Sequence, residues 1–310
     1  MSGAYTHITL ENEMREPMRL EEIPGFPEEA IITILDYFKF CELGAVSPDY
    51  PYLAVDDSGA AAWADAMHYT DTGQMIHAGI RLLRDMEGEA KMKGLAWLLG
   101  YSAHVAADMT IHPVVQMKVG PYHENKSGHR TCEMNMDVHI FQRLNLGDIG
   151  LSDHLGSGIG LCSEGDSTEM LDLDVHDLWD NMMKEVYPED YESNPPDIHK
   201  WHSRFNTIVS TIAQAGNILM PVARHVAADK GLVYPAADEI DMQYIEDLET
   251  PEGTMHFDDI YERALRNIES MWSMVARGVL EDDAECFETV GNWNLDTGRN
   301  EDDELIYWEE

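Results

Sequence analysis

Residues 95–112, which read LAWLLGYSAHVAADMTIH, are the part of the sequence that most strongly indicates the fold. His104, Asp108 and His112 follow one another at intervals of four, so in a helix they form one stripe on the same face. A buried aspartate without a partner is costly, whereas imidazole and carboxylate are standard zinc ligands. The stretch therefore predicts a buried helix that carries metal ligands. Pro113 predicts the end of this helix, where His112 is either a ligand or an ordinary cap residue.

A second stretch, residues 129–133, reads HRTCE and repeats the four-residue step with His129 and Glu133. A histidine and a glutamate are common on solvated helices, so this pair alone would mean little. Its position, one short loop after the first stripe, favours metal binding. Asp137 continues the stripe one turn later, as a further ligand or as a carboxylate that orients an imidazole.

Helical periodicity dominates the chain, and alternating β-branched runs are missing. We expect an all-α fold, a multi-helix bundle with the metal cluster in a cleft between helices. The predicted helices cover residues 27–40, 58–69, 72–87, 90–111, 130–146, 168–186, 198–229 and 257–280. Pro221 should kink the seventh helix, and residues 147–165, with six glycines, should form a flexible loop. The copy of HVAAD at residues 225–229 is best explained by chance, because no second ligand helix follows it.

The predicted domain organisation is one all-helical domain over residues 1–280, followed by an acidic tail. The metal ligands fall within residues 5–140, and residues 168–280 form a helical extension. Residues 281–310 contain twelve acidic residues and one arginine, a composition typical of a solvated tail or a weakly packed extension.

The charge balance is extreme: 59 acidic residues against 20 basic ones give a formal net charge of −39. Such a surface repels nucleic acid and anionic lipid unless metal ions offset it locally. Two interpretations remain open, adaptation to a salty environment and an acidic face for a cationic partner. With 44% hydrophobic residues, the chain as a whole is expected to fold.

The compartment is predicted from the cysteines and from the apolar runs. The four cysteines are scattered and form no CxxC pair, so we expect them to be reduced. The N-terminal residues have neither a basic region nor an apolar core, and the longest apolar run, near residues 94–103, is about half of the ~20 residues that a membrane span needs. These features predict a cytoplasmic protein.

Three earlier residues extend the ligand set. Asp49 lies in the proline-rich turn GAVSPDYP, His68 lies near the end of a predicted helix, and His7 lies near the N-terminus. The whole order is an early histidine, a Gly…Pro-Asp turn, a histidine, a His-x-x-x-Asp helix with a nearby histidine, and a His-x-x-x-Glu helix. In this order the chain resembles the zinc-dependent phospholipase C family, which shares an all-helical fold with the S1/P1 nucleases.

The resemblance implies three metal sites. By it, one zinc is held by Asp49, His68, His104 and Asp108, a second by His112, His129 and Glu133, and a third by His7 with Asp108 as a bridge. Two departures stand out. The family's third zinc also uses the amino terminus of the mature chain, whereas six residues precede His7 here. The spacing from Asp108 to the next histidine is also shorter, which leaves His123 as the alternative to His112.

These observations predict a zinc-dependent phosphoric ester hydrolase with two or three ions. Attack by hydroxide on a phosphodiester or phosphomonoester is expected, and the resemblance gives Asp49 the added role of proton acceptor. The expected substrate is small or lipid-like; nucleic acid is disfavoured and the oligomeric state is open. Two alternatives remain: iron or manganese in a redox enzyme with the same ligands, and a non-catalytic, metal-stabilised binding protein.

Overall fold

The computed structural model describes residues 4–54, 57, 59–146, 158–165, 167, 169–215 and 234–309, with the backbone alone from 208 to 215. Within these residues the fold is all-α, as predicted; the named strands β1 (Leu248–Thr250) and β2 (Gly253–Met255) form one short antiparallel hairpin. The helices are α1 (Ala4–Met14), α2 (Pro17–Glu22), α3 (Glu28–Val46), α4 (Tyr50–Leu53), α5 (Ala60–Tyr69), α6 (Thr72–Arg84), α7 (Gly88–Val119), α8 (Lys126–Arg143), α9 (Leu173–Val186), α10 (Pro188–Ser193), α11 (Ile198–Ala215), α12 (Phe257–Leu280) and α13 (Glu285–Thr289).

Helix α7 is the central element of the fold. Every residue from 94 to 115 is buried. A helix that is enclosed on all sides must lie in the interior, and α3 and α12 pack along it. The indole N–H of Trp272, on α12, donates to the carbonyl of Leu99 at 2.9 Å. The predicted ligand stripe therefore lies in the middle of the core.

Two glycines bring α3 and α7 into backbone contact beside this stripe. A Cβ on Gly44 would lie 2.0 Å from the carbonyl oxygen of Trp97, and a Cβ on Gly100 would lie 1.9 Å from that of Cys41. Only glycine permits so close an approach. His104 follows Gly100 by one turn, so its imidazole reaches the backbone of α3.

Pro113 lies inside α7, so the predicted helix end at His112 is wrong. Proline removes one intrahelical hydrogen bond, yet the helix continues to Val119. Val114 and Val115 are fully buried beyond the proline. Burial of these side chains outweighs the lost bond.

Other boundaries also differ from the predictions. The helical periodicity predicted an end for α3 that lies six residues before the observed one, and it did not predict α1, which carries His7. Pro221, the second HVAAD motif at 225–229 and residues 147–157 of the glycine-rich loop lie outside the described residues. No helix in the described ranges has the length and apolar character to cross a membrane.

The acidic C-terminal segment packs against the helices, and so differs from a solvated tail, one of the two alternatives given for it. Trp293, Leu295 and Trp308 are buried. The N–H of Leu295 donates to the carbonyl of His68, and the indole of Trp308 donates to the carbonyl of Thr110, both at 3.0 Å. Composition misled because most acidic side chains of this segment face outward while a few large apolar ones face inward.

Candidate metal centre

Asp108 lies at the middle of the centre with no exposed surface. Its Oδ1 is 3.3 Å from Nε2 of both His7 and His112. Its Oδ2 is 3.2 Å from Nε2 of His104 and 3.7 Å from Nε2 of His68. Four imidazoles from α1, α5 and α7 thus surround one buried carboxylate.

Backbone carbonyls set the orientation of three of these rings. Nδ1 of His68 is 2.7 Å from the carbonyl of Ala64, and Nδ1 of His104 is 2.8 Å from that of Ala45. Nδ1 of His112 is 2.9 Å from the carbonyl of Leu295. A carbonyl only accepts, so each Nδ1 carries the proton and donates it. Each Nε2 in the neutral ring therefore presents a lone pair to the centre, as metal-binding histidines do.

Asp49 lies on the more open side of the same centre. Its Oδ1 is 3.4 Å from Nε2 of His68, and its side chain is 16% exposed. Nε2 of His68 and Nε2 of His104 are 3.3 Å apart. Two sets of potential ligands each place three atoms within 4.8 Å of one another: His7, His104 and Asp108, and Asp49, His68 and His104. His104 belongs to both sets, so the two are contiguous.

His129 and Glu133 form a separate pair on α8. His129 Nδ1 is 3.9 Å from Glu133 Oε1, and both side chains are buried. His129 Nε2 donates to the carbonyl of Gly120 at 2.6 Å, so in the neutral ring Nδ1 carries the lone pair. Burial raises the pKa of Glu133 to about 8, and the negative charge of Asp108 adds to this rise. The pair therefore lies within electrostatic range of the main cluster.

Asp137 supports the site through hydrogen bonds to neighbouring segments. Its Oδ1 accepts hydrogen bonds from the backbone N–H and the hydroxyl of Thr6, at 2.7 and 2.5 Å, and its Oδ2 accepts one from Tyr234 at 2.9 Å. Burial raises its pKa to about 6, although these donors favour the ionised form. Of its two predicted roles the geometry favours the supporting one, because Asp137 anchors the start of α1, where His7 lies.

His123, the alternative to His112, lies on the surface. Its side chain is 79% exposed and pairs with Glu124. His112 is instead 1% exposed and directs Nε2 at Asp108. The geometry thus assigns the position in the cluster to His112.

The C-terminal segment supplies parts of the site that sequence reasoning missed. Asp296 Oδ1 is 3.6 Å from His112 Nδ1, and its Oδ2 accepts a hydrogen bond from the Tyr69 hydroxyl at 2.8 Å. With the Leu295 carbonyl, it holds His112 from the side opposite Asp108. The buried apolar residues of this segment were the only signal in the sequence that it packs inward.

Electrostatics in the cluster follow from burial and from Asp108. Burial lowers the pKa of His7 and lowers that of His112 to about 3, so both rings are neutral, the form that binds metal. Burial opposes ionisation of Asp108, but His112 and His104 hold its pKa well below the ordinary value. Burial also disfavours a proton on His104, yet Asp108 raises its pKa. A proton or a metal cation can therefore balance the buried carboxylate.

The donor set fits zinc. Among the buried atoms without a hydrogen-bond partner in the described ranges are six candidate ligand atoms: Nε2 of His7 and of His112, Nδ1 of His129, Oδ1 of Asp49 and both oxygens of Asp108. Buried polar atoms without partners are rare in proteins, and bound metal ions satisfy such atoms. Imidazole and carboxylate together suit zinc. The fold and the centre thus define an all-α protein with groups of histidine and aspartate that could bind metal ions.

Comparison with known proteins agrees with this class. The family described as zinc dependent phospholipase C matches residues 6–189, more than half of the chain, and the chain belongs to this family. Membership implies a metal-dependent, phospholipid-hydrolysing function. No curated protein and no solved structure matches the chain.

Proposed function

We propose that the protein is a zinc-dependent phosphoric ester hydrolase that cleaves a small or lipid-like phosphoester. One observation carries this proposal above all: three rings, those of His68, His104 and His112, are locked by backbone carbonyls so that each Nε2 faces the same buried carboxylate, Asp108. Rigidly oriented imidazole and carboxylate groups of this kind suit a zinc ion. Family membership supports hydrolysis as the use of the metal.

The ligands divide into three sets in this proposal. Asp49, His68, His104 and Asp108 hold one zinc, His112, His129 and Glu133 hold a second, and His7 shares Asp108 for a third. The two three-atom sets around His104 support the first and third assignments. The buried pair on α8 supports the second, because His129 keeps Nδ1 free of any hydrogen bond within the described part of the chain.

Zinc in such a centre lowers the pKa of water and stabilises the negative charge that develops on phosphate. The residues of the chain supply the rest. Asp49 is partly exposed at the edge of the cluster, so a substrate can approach it. Burial would raise its pKa, but the adjacent imidazoles of His68 and His104 lower it. Asp49 is therefore ionised at neutral pH, and we propose that it accepts the proton of the attacking water.

The proposed substrate is small or lipid-like for electrostatic reasons. A chain with a net charge of −39 repels a polyanion over its whole surface. A single phosphoester needs only the local positive charge of the metals. Both diester and monoester cleavage remain within the proposal.

The experiment joins metal analysis to a substrate screen on the full chain, at low salt and at molar KCl because of the acidity. Zinc, iron and manganese are counted per chain. Short-chain phosphatidylcholine, phosphatidic acid and p-nitrophenyl phosphate esters then report diester or monoester cleavage. We expect bound zinc and hydrolysis that a chelator abolishes and zinc restores. His123→Ala, on the surface, is the control and should leave both unchanged.

Three results would contradict the proposal, and two of them identify an alternative. Bound iron or manganese with visible absorption and no hydrolysis would favour a redox enzyme. Bound zinc without hydrolysis of any ester would favour a metal-stabilised binding protein, since catalysis needs an open coordination position. A protein that hydrolyses esters equally well without metal would refute the metal centre itself.

A further inference from the structure

A second group of imidazoles and carboxylate lies between α8 and the start of α12. Nε2 of His139 is 2.8 Å from Oδ1 of Asp258, and Nδ1 of His256 is 3.5 Å from Oδ2 of the same carboxylate. The two imidazole rings have centroids 5.5 Å apart at 62°. One potential ligand atom from each residue lies within 4.8 Å of the other two.

This group is distinct from the centre around Asp108. His139 follows Glu133 by six residues on α8, a rotation of about 240° around the helix axis from the face of the candidate centre. His256 and Asp258 also lie beyond residues 6–189, the part of the chain that matches the family. The group therefore needs its own explanation.

The local charge favours a cation. Glu262 and Asp258 form ion pairs with Arg143. Burial lowers the pKa of this guanidinium, but the negative charges of Glu262, Asp258 and Glu13 raise it. Three carboxylates around one guanidinium leave a local charge of about −2 when the two imidazoles are neutral. A divalent ion would balance this charge.

From this juxtaposition we propose that His139, His256 and Asp258 bind a zinc ion that joins α8 to α12. Zinc ligands at about 2.0–2.1 Å in a tetrahedral site lie about 3.3 Å from one another, so small side-chain movements suffice. The three side chains are 17%, 35% and 38% exposed, which leaves room for water as the fourth ligand. The zinc would link two helices, and the proposal does not depend on the hydrolysis proposed above.

The test counts zinc in the full chain at a fixed micromolar concentration of free zinc. His256→Asn keeps a side chain that can cap α12, because His256 Nδ1 accepts from the N–H of Asp258 at 3.1 Å and asparagine is a good N-cap. Asp258→Asn removes the carboxylate. The matched control is His176→Asn, since His176 pairs with Asp177 and stacks on His199 but belongs to no three-ligand group within the described residues.

We expect the wild type and His176→Asn to hold one more zinc per chain than His256→Asn and Asp258→Asn, all four with the same hydrolytic activity. Equal zinc contents in the four proteins would overturn the proposal. If both test variants fail to fold, NMR of the wild type decides. Zinc added in stages should shift the imidazole resonances of His139 and His256 but not that of His176, and unshifted resonances would refute the site.

Discussion

The group around Asp108 and the group around Asp258 use the same side chains in opposite surroundings. Asp108 is fully buried, whereas Asp258 is 38% exposed. Backbone carbonyls fix three rings around Asp108, whereas His139 pairs only with the carboxylate itself in the contacts of the described residues. Arg143 also competes for Asp258, and no lysine or arginine of the described ranges pairs with Asp108.

The difference predicts how zinc binding should differ between the two proposed sites. In the buried group no lysine or arginine of the described ranges pairs with Asp108, so its charge is costly unless a metal ion or a proton balances it. In the exposed group, Arg143 lies 3.6 Å from the carboxylate of Asp258 and partly offsets its charge. We therefore expect tight binding around Asp108 and weaker, salt-sensitive binding around Asp258.

The largest effect should come from Asp108→Asn. The variant keeps the shape of the side chain but removes the charge that four imidazoles face. We expect loss of zinc from the main centre and a fall in kcat/KM of at least about 1,000-fold, the upper range for one preorganised electrostatic group. Zinc counting and steady-state kinetics measure the two effects. Retained activity in a metal-poor variant would refute the contrast.

The dryness of the main centre also predicts a pH-dependent stability. Glu11 follows His7 by one turn of α1, accepts a hydrogen bond from the Cys41 thiol at 2.8 Å, and has its pKa raised by burial to about 8 from 4.5. The folded state therefore holds a proton that the unfolded state has lost, so stability falls as pH rises from about 4.5 to 8.

Glu11→Gln removes this titration. The free energy of unfolding of the variant, relative to wild type, should rise by up to about 3 kcal/mol between pH 6 and pH 8, since one pKa unit corresponds to about 1.4 kcal/mol. Denaturant unfolding of the zinc-loaded proteins measures it. Glu21→Gln, on the exposed part of α2, is the control. A difference independent of pH would mean that Glu11 is ionised in the fold.

Asp296→Asn should have a smaller effect. Its carboxylate lies 3.6 Å from Nδ1 of His112, where it supports the ring without facing the main cluster. Substitution of residues that orient metal ligands usually costs 10–100-fold in metal affinity. Competition with a chelator measures this loss. The control is Asp303→Asn, 89% exposed in the same segment; an equal loss in the two variants would contradict the role of Asp296.

The smallest effect is expected for Arg143→Gln. Removing the competing guanidinium should strengthen zinc binding at the Asp258 group several-fold, about 1 kcal/mol for a partly exposed charge pair. It should leave the main centre unchanged. Zinc titrations of Arg143→Gln and of the double variant with His256→Asn distinguish binding at the Asp258 group from binding at the Asp108 group. Weaker binding would show that Arg143 supports the site instead of competing for it.

Local pattern predicted the all-α class and the ligand stripe on α7, because i to i+4 spacing decides which side chains share a helix face. It did not predict contacts between distant segments. Nothing near His112 indicates that Leu295, 183 residues later, accepts its proton. The predicted helix end at Pro113 was wrong for the same reason, since burial of Val114 and Val115 by distant residues outweighs the helix-breaking tendency of proline.

The hydrogen bond from His112 to Leu295 has a consequence for biosynthesis. The hydrogen bond that holds the tautomer of this ring can form only after residue 295 has left the ribosome, although the four imidazoles around Asp108 are translated within the first 112 residues. Nascent chains that stall before that point would hold an incomplete cage. Metal uptake by this protein should therefore be a late step, coupled to docking of the last segment of the described chain.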